Sequence, residues 1–138
     1  MREKDERRIV IDTNIWISFL LGGVARNLVK IFNPPFPKIL FSEELLEELK
    51  ETLLRPKFKS RFDPEVLMKI ELLLSVHGEK IQVASTVTIC RDEKDNFLLS
   101  LCQDGKADFL ITGDEDFLVL KKFNETEIIP LKKILAED

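Results

Sequence analysis

Six acids stand at the ends of apolar runs or in the helices that follow them. Asp12 closes Ile9-Val10-Ile11, and Glu48 lies in EELLEELKETLL. Asp92 and Asp95 open DEKDNFLLSLC, and Asp114 and Asp116 follow FLITG. One at a time they need no chemistry, because Asp is a common helix cap and the first turn of a helix favours negative charge. Convergence is what capping leaves unexplained. Two carboxylates about 4 Å apart repel by roughly 4 kcal/mol at an effective dielectric near 20. Several at one edge would therefore raise one another's pKa or hold a cation. With no histidine, cysteine cluster or lysine expected among them, an oxygen-only site suits Mg2+ or Mn2+. Such ions activate water and neutralise phosphate charge.

The elements that must position these acids can be read from periodicity. Ile9 to Ile11 reads as a buried strand and Trp16 to Leu21 as the start of a helix. VARNLVKIF reads as a second helical piece, broken by the prolines of NPPFP. KILFS is a short strand leading into EELLEELKETLL, and RPKFKSRFDP is a basic loop. PEVLMKIELLLSVHG starts on a first-turn proline and ends on glycine. KIQVAS reads as a strand continued by VTIC, and DEKDNFLLSLCQDG as a helix that Gly105 closes. ADFLITGD is a strand, EDFLVLKKF a short helix, and TEIIPLKKILAE a last strand and helix. Strands alternating with helices predict a three-layer α/β/α sandwich around a mainly parallel sheet. In such sheets ligands bind outside the carboxyl ends of the strands, where all six acids would lie.

Glu48 shares its helix with Glu43, Glu44, Glu47 and Glu51. Leu45, Leu46, Leu49 and Leu53 form the apolar stripe. At about 100° per residue, Glu44 and Glu47 point away from that stripe, whereas Glu48 lies at its margin and can look across the sheet edge. Glu43 is the other marginal acid and stays open.

The 138 residues, 44% apolar and 33% charged, suit one soluble domain, residues 1–138 with an ordered core over about 8–136. No apolar stretch approaches membrane-spanning length, and MREKDERR lacks the apolar core of a signal peptide. A cytoplasmic location is expected. Cys90 and Cys102 lack CxxC spacing, which argues against zinc and for small buried thiols. His77, the only histidine, sits at a helix end in SVHGEK, and one histidine makes a Ser-His-Asp triad a poor reading. The net charge of −4 does not attract nucleic acid by its global field.

VIDTNIWIS, FSEELLEELKETLLRPKF, DEKDNFLLSLC and ADFLITGDEDFLVL, in this order, resemble the four signature segments of the PIN-domain family. The similarity runs from Ile9 to IIPLKKIL, and it is greatest to the compact VapC-like toxins of toxin–antitoxin systems. The resemblance implies an Mg2+- or Mn2+-dependent endoribonuclease. It assigns Asp12, Glu48, Asp95, Asp114 and Asp116 to catalysis, with Asp12, Asp95 and Asp114 as metal ligands. Thr13, Asn14, Ser42, Asp92 and Thr112 match polar or acidic supporting positions. It further implies an RNA substrate, a small antitoxin protein as partner, and a homodimer.

RPKFKSRF adds Arg55, Lys57, Lys59 and Arg61, interleaved with Phe58 and Phe62. These cations suit RNA phosphates beside an acidic site. A solvated loop anchored by its two phenylalanines, or a dimer contact, would use the same residues. Two rival functions stand beside the nuclease. One is a catalytically inactive PIN-like RNA-binding or regulatory module. The other is transfer through an aspartyl phosphate, which commonly wants a second Asp where Asn14 stands and a lysine that ITGDED does not offer.

Overall fold

The computed structural model describes residues 7–22, 30 and 36–136. The β-branched run forms β1 (Arg8–Ile11), and α1 (Thr13–Leu20) follows after the single residue Asp12. Next come β2 (Lys38–Phe41), α2 (Glu43–Leu53), the one-turn α3 (Pro56–Lys59), α4 (Pro64–His77) and β3 (Gly78–Lys80). The chain continues with α5 (Glu93–Gly105), β4 (Phe109–Ile111), α6 (Glu115–Leu118), β5 (Lys122–Phe123), β6 (Thr126–Ile129) and α7 (Leu131–Ala136). The sheet runs β3-β2-β1-β4-β6-β5, parallel throughout except for β5 against β6. The predicted α/β architecture is the one observed. None of the helices among the described residues is long and apolar enough to cross a membrane.

Two-residue periodicity divides the core between the two sheet faces. Ile9, Ile11, Ile39, Ile111 and Ile129 pack with Trp16 and Leu20 of α1, Leu49 and Leu53 of α2, Leu74 of α4 and Ile134 of α7. Val10, Leu40, Leu110 and Ile128 face the other way, onto Leu98, Leu99, Leu101 and Cys102 of α5 and onto Phe117. Each such aliphatic side chain, fully buried, contributes about 1.5–3 kcal/mol by the hydrophobic effect. Between β1 and β4 the strand order reverses, since β1 connects onward to β2 on one side while β4 and β6 lie on the other. That reversal opens a crevice at the carboxyl ends of β1 and β4.

Several elements differ from the sequence reading. Residues 81–90, expected as a strand, form no ladder. Asp104 accepts from Ala84 N (2.7 Å) and Ser85 N (2.9 Å), Ser100 Oγ from Val87 N (3.0 Å), and Asn96 Oδ1 from Cys90 N (2.7 Å). Side chains of α5 thus take the backbone donors that a strand would have spent on a neighbour. The strand itself is Gly78–Lys80. The basic loop holds the short helix α3, because Pro56 takes a first-turn position. EDFLVLKKF is helical only to Leu118; Lys122-Phe123 turns back as β5, helped by positive φ at Lys121 (62°) and Asn124 (52°). The left-handed residue that ends α5 is Lys106 (φ 54°), not Gly105. Gly105 is required for space, since a Cβ there would stand 2.8 Å from Leu40 Cδ1. The helical piece VARNLVKIF and most of the proline break after it fall outside the described residues.

Candidate active site

The site starts from a single hydroxyl. Thr112 follows β4 directly and is fully buried; its Oγ1 donates to Asp12 Oδ2 at 2.7 Å, across the strand pair. Asp12 N donates to Ile111 O (3.0 Å), and Asp12 Oδ1 accepts from Asn14 N (3.2 Å) to cap α1. Asp12 is 5% exposed. Burial pushes its pKa up, against the Thr112 and backbone donors that hold it down. The same Thr112 oxygen accepts from Asp114 N (3.0 Å), and Asp114 Oδ1 in turn accepts from Asp116 N (2.9 Å). One threonine therefore fixes the strand-end acid and the start of the Asp114 turn together.

The other acids come from two helices. Asp92 caps α5 by accepting from Lys94 N at 2.9 Å, and Asp95 lies half-buried in the same first turn. Burial first, then Asp114, Asp92, Asp12 and Asp116, push the Asp95 pKa up to about 6. Burial is the larger cause, and repulsion among acids gathered at one edge adds to it. Glu48 faces the same cleft from α2, whereas Glu44 and Glu47 are exposed away from it. Glu43, left open by the sequence, pairs with Lys80 at 3.0 Å and is not part of the cleft wall. The cleft has a volume of about 610 Å³ and collects Asp12, Glu48, Asp92, Asp95, Asp114 and Asp116.

Of the supporting residues, Thr13 and Asn14 line this cleft. Ser42 does not; fully buried, it caps α2 by accepting from Leu45 N at 3.1 Å. Arg55 reaches the cleft, but Lys57, Lys59 and Arg61 do not line it. Phe58 and Phe62 are half-buried against the core, anchoring the segment as the solvated-loop reading expects. His77 stacks on Phe36 with ring centroids 4.3 Å apart, away from the cleft wall. Cys102 is buried as expected, whereas Cys90 is half-buried in the cleft wall. Burial and the acids raise its pKa, which keeps the thiol protonated. The expectation of a site without lysine fails: Lys94 Nζ lies 3.6 Å from Glu48 Oε1, and Arg91 lines the cleft too. Both cations stand beside Asp92 in the sequence, and a lysine in the first turn of a helix was the signal that could have found one of them.

The residues fit a divalent cation. Thr13 is 7% exposed, and its Oγ1 is buried without a hydrogen-bond partner in the cleft wall. The acids offer oxygen donors alone, and Asp95 resists ionising beside its neighbours. Among the described residues no three acids stand close enough to form a ready-made coordination shell.

Comparison with known proteins adds to this geometry. The family model described as "PIN domain" matches residues 8–116. The chain is 29% identical over 126 residues to "Uncharacterized protein MJ1680" of Methanocaldococcus jannaschii, covering 89% of this chain and 81% of that protein. Its fold is similar to one chain of VapBC2 from Rickettsia felis, solved bound to a DNA fragment from their promoter. The TM-score is 0.59 at 18% identity, over 88% of this chain and 98% of that one.

Proposed function

The chain belongs to the PIN-domain family, and from that premise we propose that it is a divalent-metal-dependent endoribonuclease, the toxin of a toxin–antitoxin pair. One observation carries the reading: acids from α2 and α5 and from the strand ends of β1 and β4 converge on a single cleft, with Asp95 raised to about 6. Asp12, Asp95 and Asp114 would hold Mg2+ or Mn2+. Glu48 and Asp116 would complete the shell or orient the attacking water. Thr112 keeps Asp12 aimed by donating to Oδ2, so that its carboxylate does not have to be ordered when substrate binds. Once bound, the ion supplies charge neutralisation at the phosphate and lowers the pKa of a water. Arg55 would take a flanking phosphate.

The likeness to the VapBC2 chain supports a small antitoxin partner that binds promoter DNA. A homodimer and a cytoplasmic location complete the proposal. The competing reading is a catalytically inactive RNA-binding or regulatory module, favoured by the spacing of the acids, no three of which form a compact group among the described residues. Incubation of labelled RNA with the protein in Mn2+, Mg2+ or EDTA decides between them. Cleavage that needs the ion and is lost in Asp12→Asn is expected; RNA bound but uncut in every condition would establish the module instead.

A further inference from the structure

Lys94 breaks the pattern that its neighbours follow. It lies in the first turn of α5, where the helix dipole favours anions, and Asp92, Glu93 and Asp95 around it obey that preference. Its ammonium instead reaches Glu48 of α2, Nζ to Oε1 3.6 Å. The pair is loose and wet, with the Lys94 side chain 58% exposed and that of Glu48 28%, so it exchanges at little cost. Lys94 also lines the acidic cleft, together with Arg55 and Arg91. Lys94, Glu48 and Arg55 also border a shallower groove beyond α2, walled by Glu44, Glu47, Glu51 and Glu93.

Resting on the ribonuclease reading, we propose that Lys94 is a substrate-binding residue. Its ammonium pairs with Glu48 and passes to an RNA phosphate when the strand enters. Glu48 is thereby released to the metal site as the ion arrives. The exchange substitutes one ion pair for another, and no group has to change protonation. Two consequences of opposite sign follow. RNA binding depends on Lys94, whereas metal binding in the absence of RNA competes with it.

The test uses the full chain and Lys94→Gln, Lys94→Arg and, as a control for net charge, Lys122→Gln on the exposed edge strand β5. Binding of a labelled single-stranded RNA is followed by anisotropy in Ca2+ over a range of salt, with product formation checked. Mn2+ binding without RNA is followed by calorimetry. Lys94→Gln should weaken RNA binding and lower the slope of log Kd against log salt by about 0.7, the value of one single-strand phosphate contact. It should bind Mn2+ more tightly than the parent, because Glu48 has lost its competing cation. Lys94→Arg should keep the parent slope, Lys122→Gln should change neither measurement, and the melting temperature should hold throughout. An unchanged salt slope in Lys94→Gln, or weaker Mn2+ binding, overturns the proposal while leaving the ribonuclease reading intact. A parent that neither binds nor cuts RNA overturns both.

Discussion

Replacing Asp95 by Asn removes one charge from the crowded edge at almost no change in volume. The Asp95 pKa of about 6 compares with about 3.9 for a free Asp. A difference of about two units corresponds to nearly 3 kcal/mol favouring the protonated form. Asp95 is half-buried, so water reduces both the desolvation and the repulsion behind that shift, and its charge gains something from the dipole of α5. About 1 kcal/mol is the working figure after both are allowed for. The sign follows from the direction of the shift. A raised carboxylate pKa costs nothing below pH 4, costs progressively more between pH 4 and 6, and reaches its full cost above pH 6. Asn is neutral at every pH. Without metal, Asp95→Asn should therefore melt about 4 °C above the parent at pH 7.5 and level with it at pH 4. Saturating Mn2+ should reverse the order at pH 7.5, because the parent gains more ligand linkage than a variant missing one carboxylate. Scanning calorimetry in EDTA at four pH values, and then with Mn2+, measures each part. Equal melting at pH 7.5 in EDTA, or a gain of the same size at pH 4, would refute the raised Asp95 pKa and with it the burial and charge crowding argued for the cleft.

Thr112→Val removes the donor to Asp12 and the acceptor for Asp114 N; a stability loss of about 1–3 kcal/mol in urea is expected. The pH midpoint of Mn2+ binding should move upward in the same variant, because Asp12 loses a hydrogen bond that holds its pKa down. Glu48→Gln should lose most RNA cleavage while Glu44→Gln and Glu47→Gln keep it, and equal losses in all three would remove Glu48 from the site. Ser42→Ala should cost about 1 kcal/mol through the lost cap and leave the cleavage rate per folded molecule unchanged. Should the α3 segment take RNA phosphates, changing Lys57, Lys59 and Arg61 together to Ala weakens RNA binding and flattens its salt dependence, whereas unchanged binding and sedimentation leave it the solvated surface that its absence from the cleft wall indicates. A shift to monomer on sedimentation would assign that segment to a dimer contact instead.

Much of the architecture was legible because it is locally encoded. Ile9 to Ile11 and Phe109 to Ile111 are short apolar runs, and the leucines of α2 recur at helical spacing. Asp12, Ser42, Asp63, Asp92 and Asp114 each cap a helix within two or three residues of their own position. Where the reading went wrong, a distant side chain had intervened. Residues 81–90 have the alternation of a strand, yet Asp104, Ser100 and Asn96 take their backbone donors from across α5. The turn that makes β5 depends on pairing with β6, which no pattern within KKF announces. Cys90 looked like core and lies in the cleft wall instead.

The sequence by itself determined the order of the long helices and of the buried strands β1, β2, β4 and β6, the place of Asp12 at the end of the first strand, and the margin of α2 on which Glu48 lies. Each of these depends on residue periodicity or on a cap only a few residues away. Tertiary structure alone decided that Thr112, 100 residues downstream, would hydrogen-bond to Asp12. It also sent Glu43 to Lys80 and Glu48 to Lys94, though both glutamates sit at the margin of the same stripe. Those partners follow from sheet order and from the crevice where that order reverses. Burial and charge at a site are sums over neighbours from the whole fold, and no window of sequence contains them.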